Sequence, residues 1–299
     1  MFAKRRANSR TAVAILVGVL LVLSLFVVSI WRHPESIEAG GRRFFILDVA
    51  LLLLCAVITV CAALQRSERF AMALGVGASL GYALGLAHIA HHLAEFLFPS
   101  PSPLASFALG AGHVLLALAL FAVAGMAAWE RARSVGLAVA AGIWAAILSV
   151  LILVAFAFAL QLAFESQAEA PLQEPFRASG MKDAGAFLVR NSLEAASEML
   201  VRFPVLACFM ALAGALASAW MSSRARSYAL AAAWLAPLVF AAGALALWYA
   251  NSLERALRPP FVLAGLLAAG ISLALMPATW AALCRPTLPL RDRQTESTK

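Results

Sequence analysis

Eight apolar runs, at about 11–30, 44–64, 70–98, 104–128, 134–163, 199–221, 227–250 and 260–283, each have the length a helix needs to cross a hydrocarbon core of about 30 Å. A backbone in lipid must satisfy its own polar groups, so these runs predict helices. The expected fold is all-α: a polytopic integral membrane protein, an eight-transmembrane-helix bundle forming one domain over residues 1–285. Composition points the same way. Of 299 residues, 63% are hydrophobic and only 13% charged, with a mean hydropathy of +0.89, which excludes a soluble domain.

The first run follows Lys4, Arg5, Arg6 and Arg10, as a signal peptide would, but it is about twenty residues long and has no small-x-small cleavage site. It reads as a retained anchor. The formal charge of +8 is explained by its distribution. With alternating spans, the N-terminal cluster, Arg66, Arg69, Arg131, Arg133, Arg224, Arg226 and the basic tail share one side. The other side has Arg32, Arg42, Arg43, Arg177, Lys182, Arg190, Arg255 and Arg258 diluted by Glu35, Glu38, Glu165, Glu169, Glu174, Asp183 and Glu254. By the positive-inside rule the protein is a multi-pass protein of the cytoplasmic (inner) membrane with both termini cytoplasmic. Its partner is the lipid bilayer, and nucleic acid has no place in the account. Cys55, Cys61, Cys208 and Cys284 stand isolated in apolar stretches and read as packing residues.

Most connections are short, so neighbouring helices should be antiparallel. Residues 164–198 are the exception, a Glu-rich outer loop with Pro171 and Pro175, followed from about Met181 by an amphipathic helix in which Phe187, Leu188, Leu193 and Leu200 recur at helical spacing. Residues 286–299 are polar, contain Pro286 and Pro289, and read as a disordered cytoplasmic tail.

The third run holds Ala87-His88-Ile89-Ala90-His91-His92-Leu93-Ala94-Glu95, three imidazoles and a carboxylate within about two helical turns. Ionisable groups at membrane depth are expensive and usually functional. At about 100° per residue, with Gly77 at zero, Gly81 lies near 40°, Gly85 near 80°, His88 near 20°, His91 near −40°, His92 near 60° and Glu95 near 0°. They share one face. The Gly77-x3-Gly81-x3-Gly85 stripe is the small-residue spacing of close helix packing, so that face should meet protein. His113, with Ser106, Gly110 and Ala117 on its face, comes to a comparable depth on the fourth run, while Asp48 on the second reads as an interfacial residue near Arg42 and Arg43. Asn191, Glu194, Glu198 and Arg202 follow one face at the start of the sixth.

His88-x3-His92 is the spacing by which one helix gives two ligands to one metal. Together with His113 and Glu198 it predicts a site for a divalent metal, zinc, iron or manganese. Glu95 or Glu194 would then move the proton as the catalytic carboxylate. The expected function is a metal-dependent membrane hydrolase acting on a lipid or lipid-linked substrate from the outer face. The alternative for Glu198 is an i, i+4 ion pair with Arg202. His-Ile-Ala-His-His-Leu followed by Phe-Pro-Ser-Pro is similar, over that short stretch, to membrane assembly factors for copper-containing cytochrome oxidase. The similarity implies haem or metal handling for a respiratory complex, although the paired glutamates stand outside that pattern. Haem is the weaker cofactor because no second histidine pair would complete an electron path. A proton- or cation-coupled transporter is the third class, and the scarcity of polar groups in the other half of each span argues against it.

Overall fold

The computed structural model describes residues 2–65, 67–97, 103–169 and 172–221, and their side chains outside 2–11, 94–97, 103–109 and 166–167. The seventh and eighth expected spans and the expected tail lie outside the described residues. Those described form helices α1 (Phe2–Arg32), a kinked turn (Ile37–Gly41) with Gly40 at φ +96°, α2 (Arg42–Leu64), α3 (Glu68–Leu97), α4 (Pro103–Ala132), α5 (Val135–Ala163), the short α6 (Glu165–Glu169) and α7 (Gln173–Ser179), and α8 (Ala184–Trp220). Six of them, α1 to α5 and α8, carry stretches long and apolar enough to cross a membrane.

Local chemistry sets several boundaries. Ser134 caps α5 by accepting from the Leu137 amide, and Asp183 caps α8 by accepting from Gly185 at 2.9 Å. Gly180, at φ +72°, closes α7 in the left-handed conformation that glycine adopts without a Cβ clash. The amphipathic stretch runs directly into the sixth apolar run. Residues 184–220 form one continuous helix, despite Pro204, which removes one backbone donor.

Cross-helix contacts fix the directions. Gly77 lies against Ala141 and Gly85 against Ile152, so α3 and α5 run parallel; Phe26 meets Phe158, with ring centroids 4.7 Å apart, so α1 joins them. Gly142 of α5 meets Ala207 and Ala211 of α8 while Gln161 accepts from Ser192, so α5 and α8 are antiparallel, and α4, whose Phe121 and Gly125 meet Phe203 and Ala211, runs parallel to α8. Helices therefore alternate up and down. One end of the bundle carries the N-terminus and the α2–α3 and α4–α5 turns. The other, the distal end, carries residues 33–41 and 164–183.

At the centre is α5, packed on α1, α3, α4 and α8 through buried Ala141, Ala145, Leu148, Leu151 and Phe158. A Cβ at Gly81 would lie 2.7 Å from the Ala145 carbonyl oxygen. Only glycine permits that approach, and in a membrane such close van der Waals contact drives helix association. Two apolar clusters result. One joins α1, α2, α5 and α8 around Phe26 and Leu52; the other joins α3, α4, α5 and α8 around Leu80, Leu84, Leu120 and Phe121.

A polar latch holds the distal end. His33, just after α1, places Nε2 2.9 Å from Glu165 and Nδ1 3.3 Å from Asp183, while Arg32 donates to the Leu162 carbonyl at 3.2 Å. A neutral imidazole has one N–H, so both carboxylate contacts are complete only while the ring carries two protons. Burial pushes the Asp183 carboxyl up, but the backbone amides of Ala186 and Gly185 and the His33 ring outweigh it and hold the carboxyl below its ordinary value. A depressed carboxyl contributes stability above its unfolded-state pKa and loses it as pH falls through the lower folded value. Thermal melts between about pH 6 and about pH 3 should therefore show an acid-side loss that is smaller in Asp183→Asn, which keeps the cap and removes the charge. Identical pH profiles for the two proteins would refute the assignment.

Candidate functional site

Polar side chains are used differently along the bundle. Away from the distal end, hydroxyls bond their own helix: Thr59 to the Cys55 carbonyl at 2.6 Å, Ser79 to Gly75 at 2.9 Å and Ser149 to Ala146 at 3.0 Å. Such bonds hide a polar group without joining helices. Nearer the distal end, polar groups bond between helices. Ser192 on α8 donates to Gln161 on α5 at 2.8 Å, Ser197 on α8 to Asp48 on α2 at 2.7 Å, and His88 on α3 meets His113 on α4.

The imidazoles form the largest of these groups. His88 is fully buried, and His91 and His113 are each only 7% exposed. His88 Nδ1 and His113 Nε2 are in direct hydrogen-bond contact, the donor being set by the tautomers. The His91 ring stacks on His113 with centroids 4.4 Å apart and planes at 28°, and His92, half-buried, adjoins His91 at 5.5 Å. Phe203 of α8 closes the cluster, 5.5 Å from the His88 ring. Beneath it lies the apolar layer of Leu84, Leu116, Leu120 and Phe121.

Helical angle explains the division of labour on α3. The glycine stripe faces α5, whereas His91, on the other flank, reaches α4 and stacks on His113. His92 lies on the same side of the wheel as Gly81 and Gly85, with its ring 5.5 Å from that of His91. The spacing argument favoured His92 as the partner of His88; the structure puts His91 in the buried contact with His113 and His92 at its edge.

The carboxylates do not gather with the rings. Glu198 is exposed and ion-paired to Arg202 at 3.0 Å, the i, i+4 alternative. Glu194 is half-buried, but it precedes Phe203 by nine residues, which places it about 13 Å along α8 and on its opposite face. The side chain of Glu95 lies outside those described. Among the described residues, no group of three or more His, Cys, Asp and Glu side chains surrounds a point as the ligands of one ion would. His88 Nε2 is buried and has no hydrogen-bond partner among them.

Three residues carry more than their sequence context indicated. Phe203 was invisible as a site residue because it lies in an apolar run. Asp48, read as interfacial, is fully buried, and the only signal was its isolation seven residues into an apolar helix. His33, uninformative by position, is the centre of the distal latch.

Long apolar helices, up-and-down packing and a buried polar cluster define a multi-pass helical membrane protein. No protein-family model matches the chain, and no curated protein or solved structure is detectably similar to it.

Proposed function

We propose that the protein is an eight-span inner-membrane protein, with both termini cytoplasmic and residues 227–250 and 260–283 as its last two spans, that binds a divalent metal in the outer leaflet. Orientation follows from the basic N-terminal end and the mixed charges at the distal end. His88 is twenty residues from Glu68, about 30 Å along α3, and so close to the outer boundary of the hydrocarbon.

The observation that carries the reading is the state of His88. One nitrogen is aimed at an imidazole of the neighbouring helix, and the other is enclosed without a described partner. A divalent ion would take the first of these, between His88 Nδ1 and His113 Nε2, and the enclosed His88 Nε2 calls for a water, since buried polar atoms are nearly always satisfied. His88 and His113 are the first two ligands, and His91 or His92 supplies the third. Metal–nitrogen bonds are about 2.0–2.1 Å long, which separates two ligand nitrogens by about 3.3 Å in a tetrahedral site. Metal binding thus parts the His88–His113 contact slightly and turns a third ring from its stack.

An all-imidazole set suits zinc or iron held for transfer or catalysis, and suits manganese, which prefers oxygen ligands, less well. Hydrolysis of a lipid or lipid-linked substrate further requires a carboxylate to move a proton. With Glu194 and Glu198 on other faces of α8, that role falls to position 95, one turn beyond His91 on α3. Haem is disfavoured by the direct ring contact, which occupies the place of the porphyrin iron.

Metal content of the purified full chain tests the reading. About one zinc, iron or manganese ion per chain is expected, lost in His88→Ala and retained in Glu198→Gln. A chain that carries none and takes up none on titration with the three metals overturns it, as does a Soret band with equimolar haem.

A further inference from the structure

A second buried polar group, independent of the histidines, lies between α2 and α8. Asp48 is fully buried; its Oδ1 accepts from Ser197 at 2.7 Å, and its Oδ2 has no partner among the described residues. Ser197 also stands 3.5 Å from the Phe44 carbonyl, so carboxyl, hydroxyl and backbone oxygen converge on one spot. The two helices run parallel here. Gly41 and Arg190 approach each other seven residues before Asp48 and Ser197, about two turns nearer the distal end.

The charged groups around this seam do not neutralise the carboxyl. On α2, Arg42 and Arg43 are exposed, and the Arg43 guanidinium lies 4.5 Å over the Phe44 ring. On α8, Arg190 carries its stem beside Gly41 and leaves its Nε buried without a described partner, while the neighbouring Glu194 is itself an acid. On α1, Arg32 and His33 are held by Leu162, Glu165 and Asp183. Glu38 of the kinked turn is exposed and acidic. No ion pair to Asp48 exists among the described residues.

An ionised carboxylate buried with a single hydroxyl partner is far costlier than the same group as a neutral acid. A sodium ion would need more oxygen ligands than the carboxyl, one hydroxyl and a carbonyl already engaged in its helix. We infer that Asp48 and Ser197 form a proton-binding site, with the carboxyl held as the neutral acid and exchanging its proton at the distal end of the α2–α8 seam. An intramembrane carboxyl of this kind is the usual element of a proton relay.

Carbodiimide labelling of the full chain in detergent micelles tests this directly. Dicyclohexylcarbodiimide partitions into the apolar phase and reacts only with protonated carboxyls. An ordinary aspartate, with a pKa of about 3.9, is ionised and unreactive by about pH 7. Asp48 should give an N-acylurea adduct at that pH, located by peptide mass spectrometry, absent from Asp48→Asn and not formed by a water-soluble carbodiimide. Ser197→Ala should remain labelled to higher pH, because the hydroxyl favours the charged form. No adduct on Asp48 while a fatty acid in the same micelles reacts, labelling by the water-soluble reagent, or a Ser197→Ala profile equal to wild type would each overturn the assignment. Unchanged labelling in His88→Ala would separate this site from the metal reading.

Discussion

Gly214→Val is expected to destabilise the protein by about 3 kcal/mol or more, at the upper end of what overpacking costs. A Cβ at Gly214 would lie 2.7 Å from the Ala122 carbonyl carbon and 3.0 Å from its Cα, so the obstacle is the backbone of α4, which has no rotamer to change. Relief requires α4 and α8 to separate, and that opens the alanine and glycine contacts along the whole crossing. Gly75 is the matched control, since nothing lies within 4 Å of its Cβ position. Gly75→Ala only removes a poor helix former and should stabilise α3 by roughly 0.5–1 kcal/mol. Thermal unfolding in detergent measures both, and equal melting temperatures for the two variants would show that the α4–α8 contact does not hold the bundle together.

The second large effect concerns what the histidines are for. His113→Leu removes the described partner of His88 and leaves a fully buried imidazole with neither nitrogen satisfied, at a cost of about 1–3 kcal/mol. The double variant His88→Leu/His113→Leu replaces both polar groups with apolar ones of similar size, which can be nearly neutral. Stability should therefore fall in the single variant and recover in the double, while bound metal is lost in both. Such a pattern means that the fold does not need the pair and its function does. A double variant less stable than either single one would instead make the pair a packing device.

The helices were readable from the sequence because lipid leaves the backbone so few choices, and the limits of α2 and α5 fall within about two residues of the apolar runs. The Gly77, Gly81 and Gly85 face was equally readable, since 100° per residue holds well in a straight helix. Which neighbour meets each flank of that face was not. The angle places His91 and His92 on opposite sides of His88, but only the packing of α4 and α5 decides that His91 enters the stack with His113. Glu194 and Glu198 drew attention because four-residue spacing suits both a metal and an ion pair, and only the position of Arg202 in the fold distinguishes them. Asp48 was underrated for a related reason: its burial depends on Ser197, which is distant in sequence and unremarkable in composition.

A helix of 37 residues, as α8 is, extends about 55 Å, some 25 Å more than the apolar thickness of a bilayer. Tilting absorbs part of such an excess, and the remainder stands clear of the membrane. On the proposed orientation its first turns would stand among the headgroups, beside α6, α7 and the His33 latch. A solute or headgroup arriving at the distal end would then meet this structured rim before the imidazoles.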